Sequence, residues 1–531
     1  MQKLKNKIIA NHVGALSVRN THDKSQIAPL KNHRGITLIA LIITIIVMII
    51  LVAVTVNVAL NGGLFNISKK AAFQTEVRQI EEQMMIKIAE LTSSDGNTDI
   101  TISDLSISDE LKEKYSDKLI IFDQKLYYNL ETTNDEEKQW LEEIGINMFL
   151  EGYSFYSSLG LAVNDANNLN TDSSDIEDIS NAIVALKIDE TTQTANVILM
   201  QDITLDSNIS FTQNIQFNLN NNTITTNNSI TYSNDFTIKN GIITSENGTI
   251  ISSSVTSSQQ DNTLRVENME LSINMNGGGG TSHGNIYTSS KNVYISNSKF
   301  TFINLLKDDR GIDNNIYAYY SDKIIAENST FLVESGHSPY NICGNSNMQI
   351  EVNNCSFALN FTYISTRTAP IANIKCGIIT VNSGIFNATS EEYTGALCNI
   401  NATSTTINDG DFKSSNYNVY SNTSTSTTTI NGGTFVVDST EGTAELSVAN
   451  LYDTNGRITI NGGDFSATSA GSKEAYIVNG SSISVTKGNF RSVSTSGTSY
   501  GFKSMGISIV ESLIDQIEAD IPIDARYITY L

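Results

Sequence analysis

The chain has 531 residues, with 33 Lys and Arg against 56 Asp and Glu, a net charge of −23. That balance excludes a nucleic-acid partner, because phosphate binding needs clustered Lys and Arg. The four cysteines, Cys343, Cys355, Cys376 and Cys398, show neither CxxC nor Cys/His metal spacing, so a zinc site, a redox motif and a disulfide-rich scaffold are set aside and no metal or cofactor is expected.

Residues 1–35 form a basic leader in which Lys3, Lys5, Lys7, Arg19, Lys24, Lys31 and Arg34 are opposed by Asp23 alone. No charged side chain follows until Lys69. The 25 residues from Ile36 to Leu60 would span about 38 Å as a helix, enough to cross a bilayer core of about 30 Å with some tilt. The run is too long for a secretory signal, which predicts a single-pass anchor. The basic leader keeps the N-terminus cytoplasmic and places the bulk of the chain on the cell surface.

The residues at this edge carry a resemblance. A basic residue, Gly35, then Ile36-Thr37-Leu38-Ile39 opening the apolar run, resembles the prepilin N-terminus of type IV pilins and type II secretion pseudopilins. The wording IALIITIIVMIILVAVTVN is similar to pilin-like proteins of Gram-positive, Clostridia-type bacteria. The resemblance implies cleavage between Gly35 and Ile36 and methylation of Ile36. It also implies as partners a prepilin peptidase, an assembly machinery of the pilin or type II secretion kind, and other pilins. The family usually carries Glu at the fifth position after the cut, and this chain has Ala40. Identical subunits then lack the acid that meets each other's amine in the membrane, which implies a minor subunit or a free display protein.

The pilin-like helix spans 36–91, breaking at Gly62-Gly63 and resuming near Ser68. Ala71, Val77, Ile80, Met84, Ile88 and Leu91 give it an apolar stripe. A small α+β region over 92–165 follows, with KLIIFDQKLYYNL as a hairpin and DEEKQWLEEIGI as a helical turn.

Beyond it a phrase recurs: apolar, x, apolar, Asn, small residue, Gly, x, Phe. It stands as ITVNSGIF, TTINDGDF, TTINGGTF, ITINGGDF and ISVTKGNF, ending at Phe386, Phe412, Phe435, Phe465 and Phe490. Weaker copies end at Phe300, Phe331 and Phe357, and aliphatic ones at Ile224, Ile243 and Leu271. A period of about 27 residues means stacked units that share one core. Ser/Thr-rich, alternating stretches between the phrases make those units strands. The expected fold is mainly β, a right-handed parallel β-helix of about eleven or more coils. Phe should stack on Phe inside, Gly should turn the corners, and the corner Asn should bond the next coil's Asn about 4.8 Å away.

The predicted β-helix covers 170–505. Its N-terminal cap is a helix in SDIEDISNAIVALKI, with Ile176, Ile179, Ile183 and Leu186 on one face, and SIVESLIDQIEADIPI within 506–531 forms a closing helix. The opening, with LNNNTI after it, resembles pectate-lyase-like β-helix surface proteins, a likeness that specifies fold better than function.

Polysaccharide lyases and hydrolases on such scaffolds need convergent acids and a base. The one dense group is LLKDDRGIDNN, with Asp308, Asp309, Arg310 and Asp313. His283 and His337 are lone loop histidines, and the cysteines read as free buried thiols. Tyr317, Tyr319 and Tyr320 cluster in NIYAYYSDK, where a flat ring with a hydroxyl suits a glycan. Two functions follow. The first is a pilin-like surface protein displaying a β-helix for adhesion or glycan binding; the alternative is a membrane-tethered polysaccharide lyase or hydrolase.

Overall fold

The computed structural model describes residues 64–92, 100–122, 125–129, 132–176 and 181–531, apart from 247, 255–257, 276–282, 306–311, 337, 363–369, 391–394, 422, 424, 440–446 and 471. The chain divides into two compact units, Met1–Phe149 and Leu150–Leu531. No helix among the described residues is long and apolar enough to cross a membrane. The span predicted at 36–60, with Gly35, Ile36 and Ala40, lies outside the described residues.

In the first unit Leu64–Thr92 is one helix. Val77, Ile80 and Met84 of the predicted stripe are buried, joined by Phe73, which the pattern omitted; Ala71 is exposed. The stripe packs on Tyr115, Leu119, Trp140 and Leu141. Leu119–Phe122 and Lys125–Tyr128 form the expected antiparallel hairpin. Asp135–Glu142 is the expected short helix, its N-cap Asn134 accepting from the Glu137 amide.

The second unit is mainly β, a large sheet of many parallel strands. From Thr194–Leu199 onward the pairings between turns are parallel, each strand lying between its counterparts one turn earlier and one turn later. Alternation along each strand sends every second side chain inward, and the in-register pairing stacks like on like.

Three columns result. Phe300, Phe331, Phe357, Phe386, Phe412, Phe435, Phe465 and Phe490 stack with ring centroids 4.6–5.4 Å apart, as the phrase predicts. The corner asparagines also bond as expected: Nδ2 of Asn382, Asn408, Asn431 and Asn461 each donates to the preceding Oδ1, at 2.7–2.9 Å, starting from Asn353.

The third column escaped the sequence reading. Asn285, Asn315, Asn341, Asn373, Asn399, Asn418 and Asn450 are all completely buried. Each Nδ2 from Asn285 to Asn418 donates to the next Oδ1 at 2.5–2.8 Å. All seven also donate to a backbone carbonyl at 2.8–3.1 Å, such as that of Lys413 or Ser466. Register places Ile250 before Asn285 and Ile477 after Asn450, and there the column ends.

The corners divide into two kinds. In the later coils Gly410 and Gly433 turn with φ +138° and +105°, and a Cβ on either would sit 2.8 or 2.7 Å from the previous corner's carbonyl oxygen. In earlier coils Asn240, Asn268, Asn297, Asn328 and Asn354 take the left-handed conformation instead. Asn is tolerated there, and its side chain adds a cross-coil bond, as from Asn354 to Asn328 at 2.9 Å.

Both predicted caps are corrected. Val184–Asp189, which contains Leu186, is a strand antiparallel to Thr194–Leu199, and Ile179 lies outside the described residues. The capping helix is earlier, Leu159–Asn168, started by the Ser158 hydroxyl and burying Leu159, Ala162, Val163 and Ala166. Apolar residues in VALKI serve strand alternation, and Ile176 makes an isolated antiparallel bridge to Phe155. At the other end the predicted helix is a 3-10 turn, Glu511–Gln516, followed by strands Ile517–Glu518 and Ile521–Tyr530. Ile517 pairs with Phe490 and Ile523 with Phe502, so this segment continues the coil.

The asparagine column gives a graded prediction. Asn399→Leu strands the Asn373 donor and the Asn418 acceptor and removes a bond to the Lys413 carbonyl, and should destabilise the second unit by about 3 kcal/mol or more. Asn450→Leu strands only the Asn418 donor and removes a bond to the Ser466 carbonyl, because Ile477 already follows it, and should cost about 1–2 kcal/mol. Denaturant unfolding of 150–531 measures both. Equal or negligible effects would contradict the column.

Candidate tyrosine-lined binding face

Beside the buried asparagines each coil carries an outward row. One follows the register Tyr287, Tyr317, Cys343, Lys375, Asn401, Tyr420, Tyr452, Asn479, Lys503. The residue before each is apolar and buried, from Ile286 through Ile342 and Val419 to Phe502, so alternation turns this row away from the core, although Cys343 within it is buried. Three residues back along each strand runs a second row, with Tyr340, Ala372, Cys398, Tyr417, Ala449, Tyr476 and Tyr500. The rows touch at Tyr417 and Tyr420, 5.3 Å between centroids. Buried Tyr340, Cys343, Ala372 and Cys398 form one cluster, against which Tyr317, Tyr417 and Tyr420 pack.

Aromatic stacks punctuate this face. Tyr287 and Tyr317 stack at 4.6 Å, with Tyr319 6.1 Å further on and Tyr320 edge-on to it at 5.3 Å. Tyr420 and Tyr452 stack at 5.2 Å and an interplanar angle of 1°, with Tyr417 tilted against both. Tyr476 and Tyr500 stack at 4.9 Å with the Lys503 amine over both rings. The three predicted tyrosines are thus one end of a longer array. Tyr319 is 44% exposed, and Tyr317 and Tyr320 are partly exposed.

The predicted acidic group fares differently. Asp308, Asp309 and Arg310 lie outside the described residues, as does His337. Asp313 is fully buried, its Oδ2 accepting from Asn304 Nδ2 at 3.0 Å and the Ser335 hydroxyl at 2.6 Å. His283 begins the strand His283–Tyr287 and pairs in register with Asp313. Among the described residues no three His, Cys, Asp or Glu side chains come together to hold a metal.

Asp453 is a buried carboxylate that sequence reasoning passed over. Burial raises its pKa, opposed by hydrogen bonds from the Ser426 hydroxyl and the Gly456 and Asn455 amides. Those bonds hold the irregular turn between Asp453 and Arg457, where the register shifts. A polar cleft of about 570 Å³ lies elsewhere, bordered by Thr204, Thr225, Thr244, Ser272, Asp206 and Glu246.

All four cysteines are free and buried, as the sequence reading expects. Burial pushes the Cys343 thiol up to about 11, with the Lys375 cation pulling against it, and Cys355 likewise to about 11. Cys376 and Cys398 are raised further by the same cause. A raised pKa leaves the thiol protonated, with about one part in a thousand as thiolate at pH 8 for a value of 11. A disulfide-exchange reagent at pH 8 should therefore label none of the four in the native chain within minutes, and all four after unfolding. Rapid native labelling would contradict this burial.

Comparison of the chain with protein-family models, with curated proteins and with solved structures finds no match to any of them.

Proposed function

We propose that this is a bacterial cell-surface protein with a pilin-like anchor, whose second unit is a right-handed parallel β-helix that binds extended glycans on its tyrosine face. The observation that carries the reading is the register that sets Tyr287 on Tyr317 and Tyr420 on Tyr452 along one outer row. Partly exposed tyrosines, stacked in pairs on a rigid sheet, give flat apolar surfaces with hydroxyls at their rims. Sugar rings offer a matching C–H face and hydroxyl edge. Preorganised rings lose little side-chain entropy on binding.

The strand order supports a β-helix, and right-handed winding follows the general rule for parallel crossovers. The anchor rests on sequence alone: Arg34-Gly35 at the edge of an uncharged run of 25 residues. Ala40 in place of the usual Glu makes the chain a minor pilin-like subunit or a free display protein. The catalytic alternative draws less support, since Asp313 is occupied by Asn304 and Ser335 within the coil.

Two experiments test this. A glycan array probed with the full-length chain in detergent should show binding that falls at least about tenfold in Tyr420→Ala/Tyr452→Ala, the loss of two stacked rings. Binding unaffected by that pair would remove the tyrosine face from the account. Intact-mass analysis from a host with a prepilin peptidase should show loss of residues 1–35 and a methyl group on Ile36. A mature chain retaining its leader would refute the pilin-like reading.

A further inference from the structure

Several cations on the coils are paired with carboxylates on neighbouring coils. Lys291 meets Asp261 at 2.9 Å, Lys299 meets Glu270 at 2.7 Å, and Lys323 meets Glu351 at 3.4 Å. On the tyrosine face Lys503 lies over two rings, with Asp524 as its register partner on the last coil. Lys375, the cation of the outer row between the two tyrosine pairs, has no such partner among the described residues. Its register partners are Cys343 and Asn401, both uncharged. Its amine stands 5.4 Å from the centroid of the Tyr340 ring, and no described carboxylate pairs with it. The side chain is partly exposed.

Its position is symmetric. Counting along the row, Lys375 is two coils from Tyr317 on one side and two coils from Tyr420 on the other. At about 4.8 Å per coil this puts the Lys375 cation about 10 Å from each tyrosine stack, with about 19 Å between the stacks' inner rings. The arrangement is platform, cation, platform.

We infer that the tyrosine face takes an extended glycan lying along the stack of coils and carrying one isolated anionic substituent, which Lys375 holds between the two tyrosine pairs. The inference rests on the glycan reading above and adds the charge and direction of the ligand. One cation in the row from Tyr287 to Tyr452 fits one negative charge per span of about 29 Å, six coil steps. A uniformly charged polymer would lay further anions on the tyrosine rings, whose faces are electron-rich and repel them. The chain's net charge of −23 adds to that penalty. A short sugar could reach the lysine or one platform but not both platforms, so affinity should step upward once the oligosaccharide spans the two stacks.

The test uses the full-length chain in detergent on an array of three classes: neutral oligosaccharides, oligosaccharides with a single acidic sugar or a single sulfate, and polyuronates. The singly charged class, in lengths that span both stacks, should bind best, and comparing the acidic-sugar with the sulfated members identifies the anion. Lys375→Gln should lower that binding by about tenfold, the loss of one charge-assisted hydrogen bond, and leave neutral oligosaccharides within about twofold. Lys375→Arg should keep the preference for the charged class, and unchanged thermal unfolding of both variants excludes a folding effect. Neutral glycans bound best, or no change in Lys375→Gln, would overturn the inference and leave the glycan reading standing. So would polyuronates bound best. Absence of binding to every class would overturn both.

Discussion

A completely buried primary amide has two donors and an acceptor that water cannot reach, and each unmet group costs about 1–3 kcal/mol. The second unit meets this demand by repetition. Each asparagine from Asn315 to Asn418 accepts from one neighbour in the column, donates to the next, and gives its other hydrogen to a backbone carbonyl of its own coil. The solution works in one register only. A slip of one residue would put an aliphatic side chain over an amide along the whole column and turn each strand's inner face outward. Other devices constrain the coils, but this column ties seven of them to a common register at polar positions.

The exterior inherits that register. Because Asn341, Asn373 and Asn399 are aligned, so are Cys343, Lys375 and Asn401 two residues further on. The tyrosine pairs are aligned for the same reason. Coil lengths can vary without disturbing the face: the asparagines that bond are separated by 30, 26, 32, 26, 19 and 32 residues. The extra residues enter between the phenylalanine strand and the asparagine strand, as 306–311, 363–369, 391–394 and 440–446 do in the chain. Most of the variation falls between a phenylalanine and the next asparagine, 6 to 16 residues apart, against 13 to 17 from an asparagine to the next phenylalanine.

Legibility in the sequence followed the strength of local chemistry. Asn-small-Gly-x-Phe is a compact phrase, since a corner, its glycine and the next inward ring are adjacent in the chain, and it revealed two columns. The buried asparagines have only an apolar neighbour as context, in ANIK, CNIN and YNVY. Nothing short-range separates those from surface asparagines, which are abundant here. The tyrosine face was seen only where Tyr317, Tyr319 and Tyr320 are adjacent. Tyr420 and Tyr452 are 32 residues apart, and their stacking exists only once register is known. The two caps failed for a different reason: spacings of three and four among aliphatics also arise from strand alternation interrupted by a turn, and tertiary pairing decided between them. Asp313 looked exposed among charged neighbours, yet the coil closes over it.

The register itself is the claim on which both the core and the tyrosine face stand, and one measurement addresses it directly. Thr429 and Thr459 are register partners on neighbouring coils, whereas Arg457 lies two residues along the strand from Thr459. Adjacent coils bring partner Cα atoms to about 4.8 Å, within the range of about 4.4–6.8 Å that a disulfide bridges. Under mild oxidation Thr429→Cys/Thr459→Cys should form an intramolecular disulfide, seen by mass after blocking free thiols, and Thr429→Cys/Arg457→Cys should not. A disulfide in the second variant and none in the first would contradict the stacked register.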